Sequence, residues 1–163
     1  MKVLWKLGND ISTDHIYPGR YMATVLPTET PQYAFADLLE FNKLLNDKEY
    51  KEPKLIVADE NFGTGSSREQ AVSSLVGCNV IVIAKSFARI FFQNSINLGL
   101  QTVICPEIDG EVGDDLEITD NKVINHTKNR EYDIIPIPAA RKAIVDAGGL
   151  IAYTRKRLVN GLV

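Results

Sequence analysis

The residues best suited to chemistry lie in a glycine-rich loop that covers positions 63–69 and reads GTGSSRE. The loop lies between an apolar segment and a segment with a helical pattern. Glycines allow a tight turn and the close approach of a ligand to the backbone. Free N–H groups at the start of a helix favour an anion, and a guanidinium such as that of Arg68 suits a carboxylate or a phosphate. The loop therefore predicts an anion site.

A second interpretation of the same loop is purely structural. Ser66 or Ser67 would then cap a helix, Glu69 or Gln70 would complete a capping box, and Arg68 would form an ordinary ion pair. Spacing alone leaves both interpretations open. The loop lacks the Gly-Lys-Ser/Thr of a Walker A motif and the third glycine of a dinucleotide fingerprint, which excludes those two nucleotide sites.

A second polar loop, residues 8–16, contains two carboxylates and an imidazole. Asp14 stands beside His15 and could orient or polarise a group that transfers a proton. Asn, Asp, Ser and Thr also bond their own backbone in loops of this kind. On residue types alone, this turn chemistry is the favoured interpretation.

A third segment, residues 86–92, reads SFARIFF. Its aromatic side chains recur at helical spacing, which is more typical of a buried core than of a cofactor site. Arg89 faces either the glycine-rich loop or the solvent.

Apolar runs predict the elements that must position these loops. Strands are expected over residues 2–6, 55–58, 80–84 and 102–105, and helices over 32–46, 67–76 and 86–98. Strand, helix, strand, helix, strand is the signature of a parallel sheet covered by helices.

The pattern changes after Pro106, where apolar and polar residues alternate. Short strands at Val123-Ile124 and Tyr132–Ile135 predict a small β-hairpin region, and residues 139–158 read as helix broken at Gly148-Gly149. We therefore expect an α/β fold with a mixed sheet, parallel βαβ units and a small β-hairpin region, in a single domain of residues 1–163.

Composition narrows the function classes. The chain has 163 residues and a formal net charge of −3, whereas nucleic-acid binders usually carry a basic stripe. No apolar run reaches the roughly 18 residues of a membrane span, and the N-terminus does not resemble a signal peptide. We expect a cytoplasmic protein that binds neither nucleic acid nor membrane.

The cysteines do not predict a metal site in this chain. Cys78 and Cys105 are the two cysteines, neither lies in a CxxC pair, and both are distant in sequence from His15 and His126. Zinc and iron–sulfur sites usually need three or four closely organised ligands. Two buried free thiols are therefore the favoured interpretation, with a disulfide as the minor alternative.

The segments 9–16, 63–71 and 86–91 resemble, in content and order, the mobile C-terminal domain of aconitase-family enzymes. The length of the chain resembles the free-standing small subunits that some members of this family use. This resemblance implies a swivelling β/β/α three-layer domain. It also implies a separate large subunit that carries a 4Fe–4S cluster, so no cofactor is expected on this chain. The isolated subunit could also form homo-oligomers.

The resemblance further implies a hydro-lyase that acts on a hydroxy-dicarboxylate and assigns roles to single residues. Ser66 corresponds to the catalytic base of the family, and Asp14 and His15 lie beside it as further catalytic residues. The expected substrate-binding residues are Gly65, Ser67, Arg68 and Arg20.

The segment Tyr21, Met22, Ala23, Thr24 and Val25 corresponds to a loop that selects the substrate's variable group. Homoaconitase-like members place an arginine at the position matched by Ala23, whereas the apolar residues here fit the isopropyl group of isopropylmalate. Thr24 matches the homoaconitase-like pattern, so a tricarboxylate or dual specificity is the alternative. A non-catalytic anion-binding module and a self-contained phosphate-handling transferase are two further alternatives.

Overall fold

The computed structural model describes residues 1–159 and Gly161. Its central element is a parallel sheet in the order β1-β2-β3-β4. The strands are β1 (Val3–Leu7), β2 (Lys54–Ala58), β3 (Val80–Ala84) and β4 (Gln101–Ile104). Every residue of β2 and β3 is buried, as expected for inner strands of aliphatic residues that are covered on both faces.

A second, antiparallel sheet contains β5 (Leu116–Ile118), β6 (Lys122–Asn125) and β7 (Arg130–Asp133). The predicted α/β class and β-hairpin region are confirmed. The parallel and antiparallel strands form two sheets, however, and not one mixed sheet. The chain returns to the outer edge of β4 at one isolated bridge, where the Ile135 N–H donates to the Ile104 carbonyl over 2.8 Å.

The helices are α1 (Thr13–Ile16), α2 (Leu39–Leu45), α3 (Glu69–Gly77), α4 (Arg89–Leu98), α5 (Ala139–Asp146) and α6 (Leu150–Val159). The predicted break at Gly148-Gly149 is confirmed, with φ of 85° and 108°. In the part of the chain that the structure describes, no helix combines the length and apolarity needed to cross a membrane.

The two faces of the parallel sheet bury different clusters. Ile56 and Val82 point to the helical side, where they join a cluster that contains Phe41 and Leu75. The opposite face packs on the antiparallel sheet through residues that include Leu55, Val57, Ile83, Leu116 and Val123. The order of layers is therefore antiparallel sheet, parallel sheet, helices, which is the predicted β/β/α arrangement.

The helix predicted over residues 32–46 is wrong in its first half. A 3₁₀ turn covers Thr30–Tyr33, and α2 begins only at Leu39. Phe35 interrupts the helix because its backbone is left-handed, with φ of 50°, and its N–H donates to the Ile16 carbonyl over 2.7 Å. Its ring is fully buried, so core packing outweighs local helical preference at this position.

Candidate active site

Three loops meet at the carboxyl ends of the parallel strands, where ligands bind in open α/β sheets. The Gly63 N–H donates to the Ile11 carbonyl over 2.7 Å, which joins the loop after β1 to the loop after β2. The Phe62 N–H donates to the Ser86 carbonyl over 3.0 Å, which adds the loop after β3. All three segments that the sequence singled out are therefore in one place.

Gly63 fixes the path of the glycine-rich loop. Its φ is 86°, and an added Cβ would lie 2.1 Å from Cγ of Phe91. Phe91 belongs to α4 and is buried, so its ring has little room to move. Only glycine satisfies both constraints, and the loop is locked against the helical layer at this point.

We expect Gly63→Ala to lower the free energy of unfolding by about 2–5 kcal/mol, since a left-handed alanine and an overpacked contact each cost energy. Chemical denaturation of the isolated chain measures this change. Gly8→Ala is the matched control, because nothing lies within 4 Å of a Cβ added at Gly8. Equal stability of the two variants would show that the loop is not anchored on Phe91.

The two serines of the loop are exposed, while their backbone is held in place. The Ser66 carbonyl accepts hydrogen bonds from the Arg68 N–H over 2.8 Å and from the Thr13 hydroxyl over 3.1 Å. Among the described residues, neither the Ser66 nor the Ser67 hydroxyl has a hydrogen-bond partner in the protein. Both hydroxyls are thus available at the surface of a fixed loop.

Neither Ser66 nor Ser67 caps α3, so the structural interpretation of this loop is wrong on that point. Arg68 is the N-cap residue, its backbone is extended (φ −80°, ψ 108°), and no side chain caps the helix. α3 therefore begins at Glu69, two residues later than predicted. The Ser67 and Ser66 hydroxyls consequently lie outside the helix and are not used to bond its first N–H groups.

Arg68 forms an ion pair with Asp14, through its Nη1 and the Oδ1 of Asp14. The same Nη1 also donates a hydrogen bond to the Tyr17 carbonyl over 3.5 Å. The Asp14 side chain is 57% exposed and that of Arg68 only 20%, so the guanidinium is held within the fold while its partner faces solvent. The Arg68 guanidinium thus already binds one carboxylate, that of Asp14. A carboxylate ligand would need a guanidinium held in the same way.

His15 bonds within its own loop, whereas Asp14 pairs with Arg68. Its Nδ1 accepts from the Ser12 N–H over 3.2 Å, and the Ser12 hydroxyl accepts from the His15 N–H over 3.2 Å. This reciprocal pair is a capping box at the start of α1. The turn chemistry expected for this loop is therefore observed at His15, whose side chain is exposed.

Arg20 is engaged by Asp37, a residue that sequence reasoning missed. Its Nη1 donates to Asp37 Oδ2 over 3.2 Å, its Nη2 donates to Oδ1, and its guanidinium lies 4.6 Å from the centre of the Tyr21 ring. The hydrogen bond between the two side chains raises the pKa of Arg20 and lowers that of Asp37. Both side chains are exposed, so this pair is weak and exchangeable.

The loop from Tyr21 to Val25 rests on aromatic rings. Tyr21 stacks on Tyr33 with ring centres 4.1 Å apart, and the Tyr17 hydroxyl donates to the carbonyls of Tyr21 and Thr24 over 3.2 and 3.3 Å. Ala23 and Val25 are exposed, whereas Met22 packs partly against the helical core. The apolar surface of this loop therefore faces outward on a fixed base.

The side chains that the structure describes do not fit an iron–sulfur cluster. Within residues 1–159 and 161, no group of three or more His, Cys, Asp or Glu side chains is placed to hold a metal ion. Cys78 and Cys105 are free and buried, as predicted, and burial raises the pKa of each thiol to about 11. Such thiols stay protonated near neutral pH, whereas metal ligation needs the thiolate.

Comparison with protein families matches residues 13–107 to the aconitase C-terminal domain. This range contains Asp14, the glycine-rich loop and the segment that starts α4. Relatives match over nearly the whole chain. A protein of Methanosarcina mazei named 3-isopropylmalate dehydratase small subunit is 44% identical over 157 residues, which cover 93% of this chain and 94% of the relative.

Bacterial relatives and a solved structure agree with this match. A protein of the same name from Aquifex aeolicus is 42% identical over 164 residues, which cover 96% of this chain and 95% of the relative. A crystal structure of 3-isopropylmalate dehydratase from Methanocaldococcus jannaschii has a TM-score of 0.86 and 39% identity, and the match covers 98% of this chain and 95% of that one.

Proposed function

Because this chain belongs to the family of 3-isopropylmalate dehydratase small subunits, we propose that it forms one half of a hydro-lyase active site that interconverts 2- and 3-isopropylmalate in leucine biosynthesis. The observation that carries this proposal is a fixed loop that bears the exposed Ser66 and, two residues later, Arg68, whose guanidinium is anchored by an ion pair with Asp14. These are a proton acceptor and a carboxylate binder, which the elimination of water from a hydroxy-dicarboxylate requires.

Ser66 is proposed as the base. The reaction removes a proton from a carbon next to a carboxylate and a hydroxyl from the neighbouring carbon. Water is then added back so that the hydroxyl is on the first carbon and the hydrogen is on the second. A serine hydroxyl is a weak base unless positive charge and N–H donors stabilise its alkoxide. Arg68 and the free N–H groups at the start of α3 supply that setting, because no side chain caps this helix.

The carboxylate of the substrate is proposed to take the place that Asp14 holds on Arg68. Asp14 is largely exposed, so a competing carboxylate can displace it without opening the core. Ser67 and the backbone at Gly65 are positioned on the same loop to add hydrogen bonds. Arg20 is a second, weaker candidate, since its side chain is exposed and is not held within the fold as that of Arg68 is.

Asp14 and His15 are proposed as supporting catalytic groups. Once released from Arg68, the Asp14 carboxylate remains beside the site and can accept a proton or a hydrogen bond. The exposed ring of His15 is fixed by its capping box, which leaves Nε2 as the nitrogen available for proton transfer.

Substrate choice is proposed to rest on the loop Tyr21–Val25. Ala23 and Val25 expose apolar surface, and Met22 adds a flexible apolar side chain. A branched alkyl group that covers such surface stabilises the complex, whereas residues 21–25 offer no cation to an additional carboxylate. This favours isopropylmalate over a tricarboxylate.

A large subunit is the proposed partner, in keeping with the word "small" in the names of the relatives. A 4Fe–4S cluster held by that subunit would supply the Lewis acid that takes the hydroxyl group. The site described here lies at the surface of this chain, where a second polypeptide can close over it.

Anaerobic reconstitution tests the proposed function. The chain, an iron-loaded large subunit and their mixture are assayed separately for isomerisation of isopropylmalate, and the mixture is also given homoaconitate. We expect turnover by the mixture alone, with isopropylmalate preferred. Turnover by this chain on its own would refute the proposal that the active site is shared between two subunits. A preference for homoaconitate would refute the proposal that the loop Tyr21–Val25 selects isopropylmalate.

A further inference from the structure

Three charged side chains meet where β1, β2 and β3 of the parallel sheet end. Lys6 Nζ donates to Asp59 Oδ1 over 2.9 Å, and Lys85 Nζ lies 3.0 Å from the same oxygen. The side chains of Lys6, Asp59 and Lys85 are 22%, 23% and 35% exposed. One partly buried carboxylate oxygen therefore ties together the ends of β1, β2 and β3.

Each member of this triad lies at the start of one functional loop. Lys6 is two residues before Gly8, Asp59 directly precedes the loop of residues 60–68, and Lys85 directly precedes Ser86. A backbone hydrogen bond also joins two of these strand ends, since the Lys85 N–H donates to the Asp59 carbonyl over 3.2 Å. A change in the triad would thus shift all three loops against one another.

The charge state of Asp59 suits this arrangement. Burial would raise the pKa of its carboxyl group, but the hydrogen bonds from Lys6 and Lys85 outweigh burial and leave the pKa below its usual value. The carboxylate therefore stays ionised at neutral pH. Without it, two ammonium groups would face each other with no anion between them.

We propose that Asp59, with Lys6 and Lys85, is a positioning residue that sets the placement of Ser66 relative to the other two loops. This inference rests on the proposed function, because it assigns Asp59 a part in that reaction. Asp59 does not touch the substrate. It acts through the loop that follows it, and small displacements of reacting groups can lower rates by about a hundredfold.

The first test uses the isolated chain and does not depend on catalysis. Amide signals of Gly63 and Gly65 are compared by nuclear magnetic resonance in the wild type, Asp59→Asn and Asp59→Glu. Glu131→Gln is the matched control, since it removes an exposed ion pair with Lys122 (2.7 Å) on the antiparallel sheet. We expect both glycine signals to shift in D59N, to return towards the wild-type positions in D59E, and to stay unchanged in E131Q.

The second test measures kcat and KM of the same variants in the reconstituted enzyme. D59N is expected to lower kcat/KM by about ten- to a hundredfold, with recovery in D59E and no change in E131Q. If D59N does not fold, Lys85→Met replaces it, because the Lys6–Asp59 bond remains and a smaller change in the same direction is expected.

The outcomes separate this inference from the proposed function. A D59N enzyme with normal kcat/KM would overturn the positioning role, whether or not the glycine signals move. Unchanged glycine signals in D59N would overturn it as well, even if the wild-type enzyme is active. An inactive wild-type mixture would instead count against the proposed function, and the glycine signals would still report on the triad.

Discussion

Replacing Ser66 with alanine is expected to lower kcat of the reconstituted enzyme by about 10²–10⁴-fold, the range that a positioned base contributes. KM should stay nearly constant, because Arg68 and Ser67 still bind the carboxylate. Removal of the exposed hydroxyl breaks no hydrogen bond within the described protein, so folding and partner binding should not change. Steady-state kinetics together with thermal unfolding of the isolated chain measure both parts.

Ser67→Ala is the matched control for this prediction, since it removes the neighbouring exposed hydroxyl from the same loop. If the assignment is correct, S67A raises KM while retaining most of kcat. Similar losses of kcat in S66A and S67A would leave the base unassigned between the two serines. Near-normal kcat in S66A would exclude Ser66 as the base.

Exchange of Arg68 for lysine is expected to weaken the binding of the substrate carboxylate. Lysine keeps the charge but lacks the planar pair of donors that holds a carboxylate through two hydrogen bonds. Loss of one charge-assisted hydrogen bond costs about 1.5–3 kcal/mol, so kcat/KM should fall by about ten- to a hundredfold, chiefly through KM. Kinetics with isopropylmalate as the varied substrate measure this change.

Arg20→Lys is the comparison for Arg68→Lys. The Arg20 side chain is 51% exposed, whereas that of Arg68 is 20% exposed and is therefore held within the fold. R20K should therefore change KM less than R68K does. The opposite ranking would move the carboxylate site from the glycine-rich loop to the loop that begins at Arg20.

The sequence was a good guide to the layers of the fold. Apolar runs marked the parallel strands, most clearly β2 and β3, because inner strands buried on both faces contain almost only aliphatic residues. Parallel strands bring their carboxyl ends to one edge, so the three loops could be expected to meet there. The hydrogen bonds of Gly63 and Phe62 confirm that meeting.

Features that depend on distant contacts could not be predicted from local pattern. Phe35 interrupts an expected helix because its ring is needed in the core and its N–H bonds the Ile16 carbonyl. The Arg68–Asp14 pair joins residues that are 54 positions apart, and no spacing rule reveals it. The bond between Lys6 and Asp59 likewise spans 53 positions.

The helix start at Glu69 illustrates a different limit. Serines before a helix favour the prediction of a cap, because their hydroxyls usually bond the first free N–H groups. Here Gly65 has φ of 96° and Arg68 stays extended, so the serines precede the helix without capping it. The two serines are a local sequence signal for a helix cap, but in the fold their side chains are exposed and cap no helix.

Proton removal by Ser66 is tested most directly by the loss of deuterium from 3-isopropylmalate labelled at the carbon next to the hydroxyl-bearing carbon. The reconstituted wild-type enzyme should break the C–D bond during dehydration, so that the label leaves this carbon and passes either to solvent or to the neighbouring carbon of the product. The S66A enzyme should retain the label on this carbon over the same period, at substrate concentrations that saturate both enzymes. Loss of deuterium from this carbon in S66A at the wild-type rate would show that another group takes the proton.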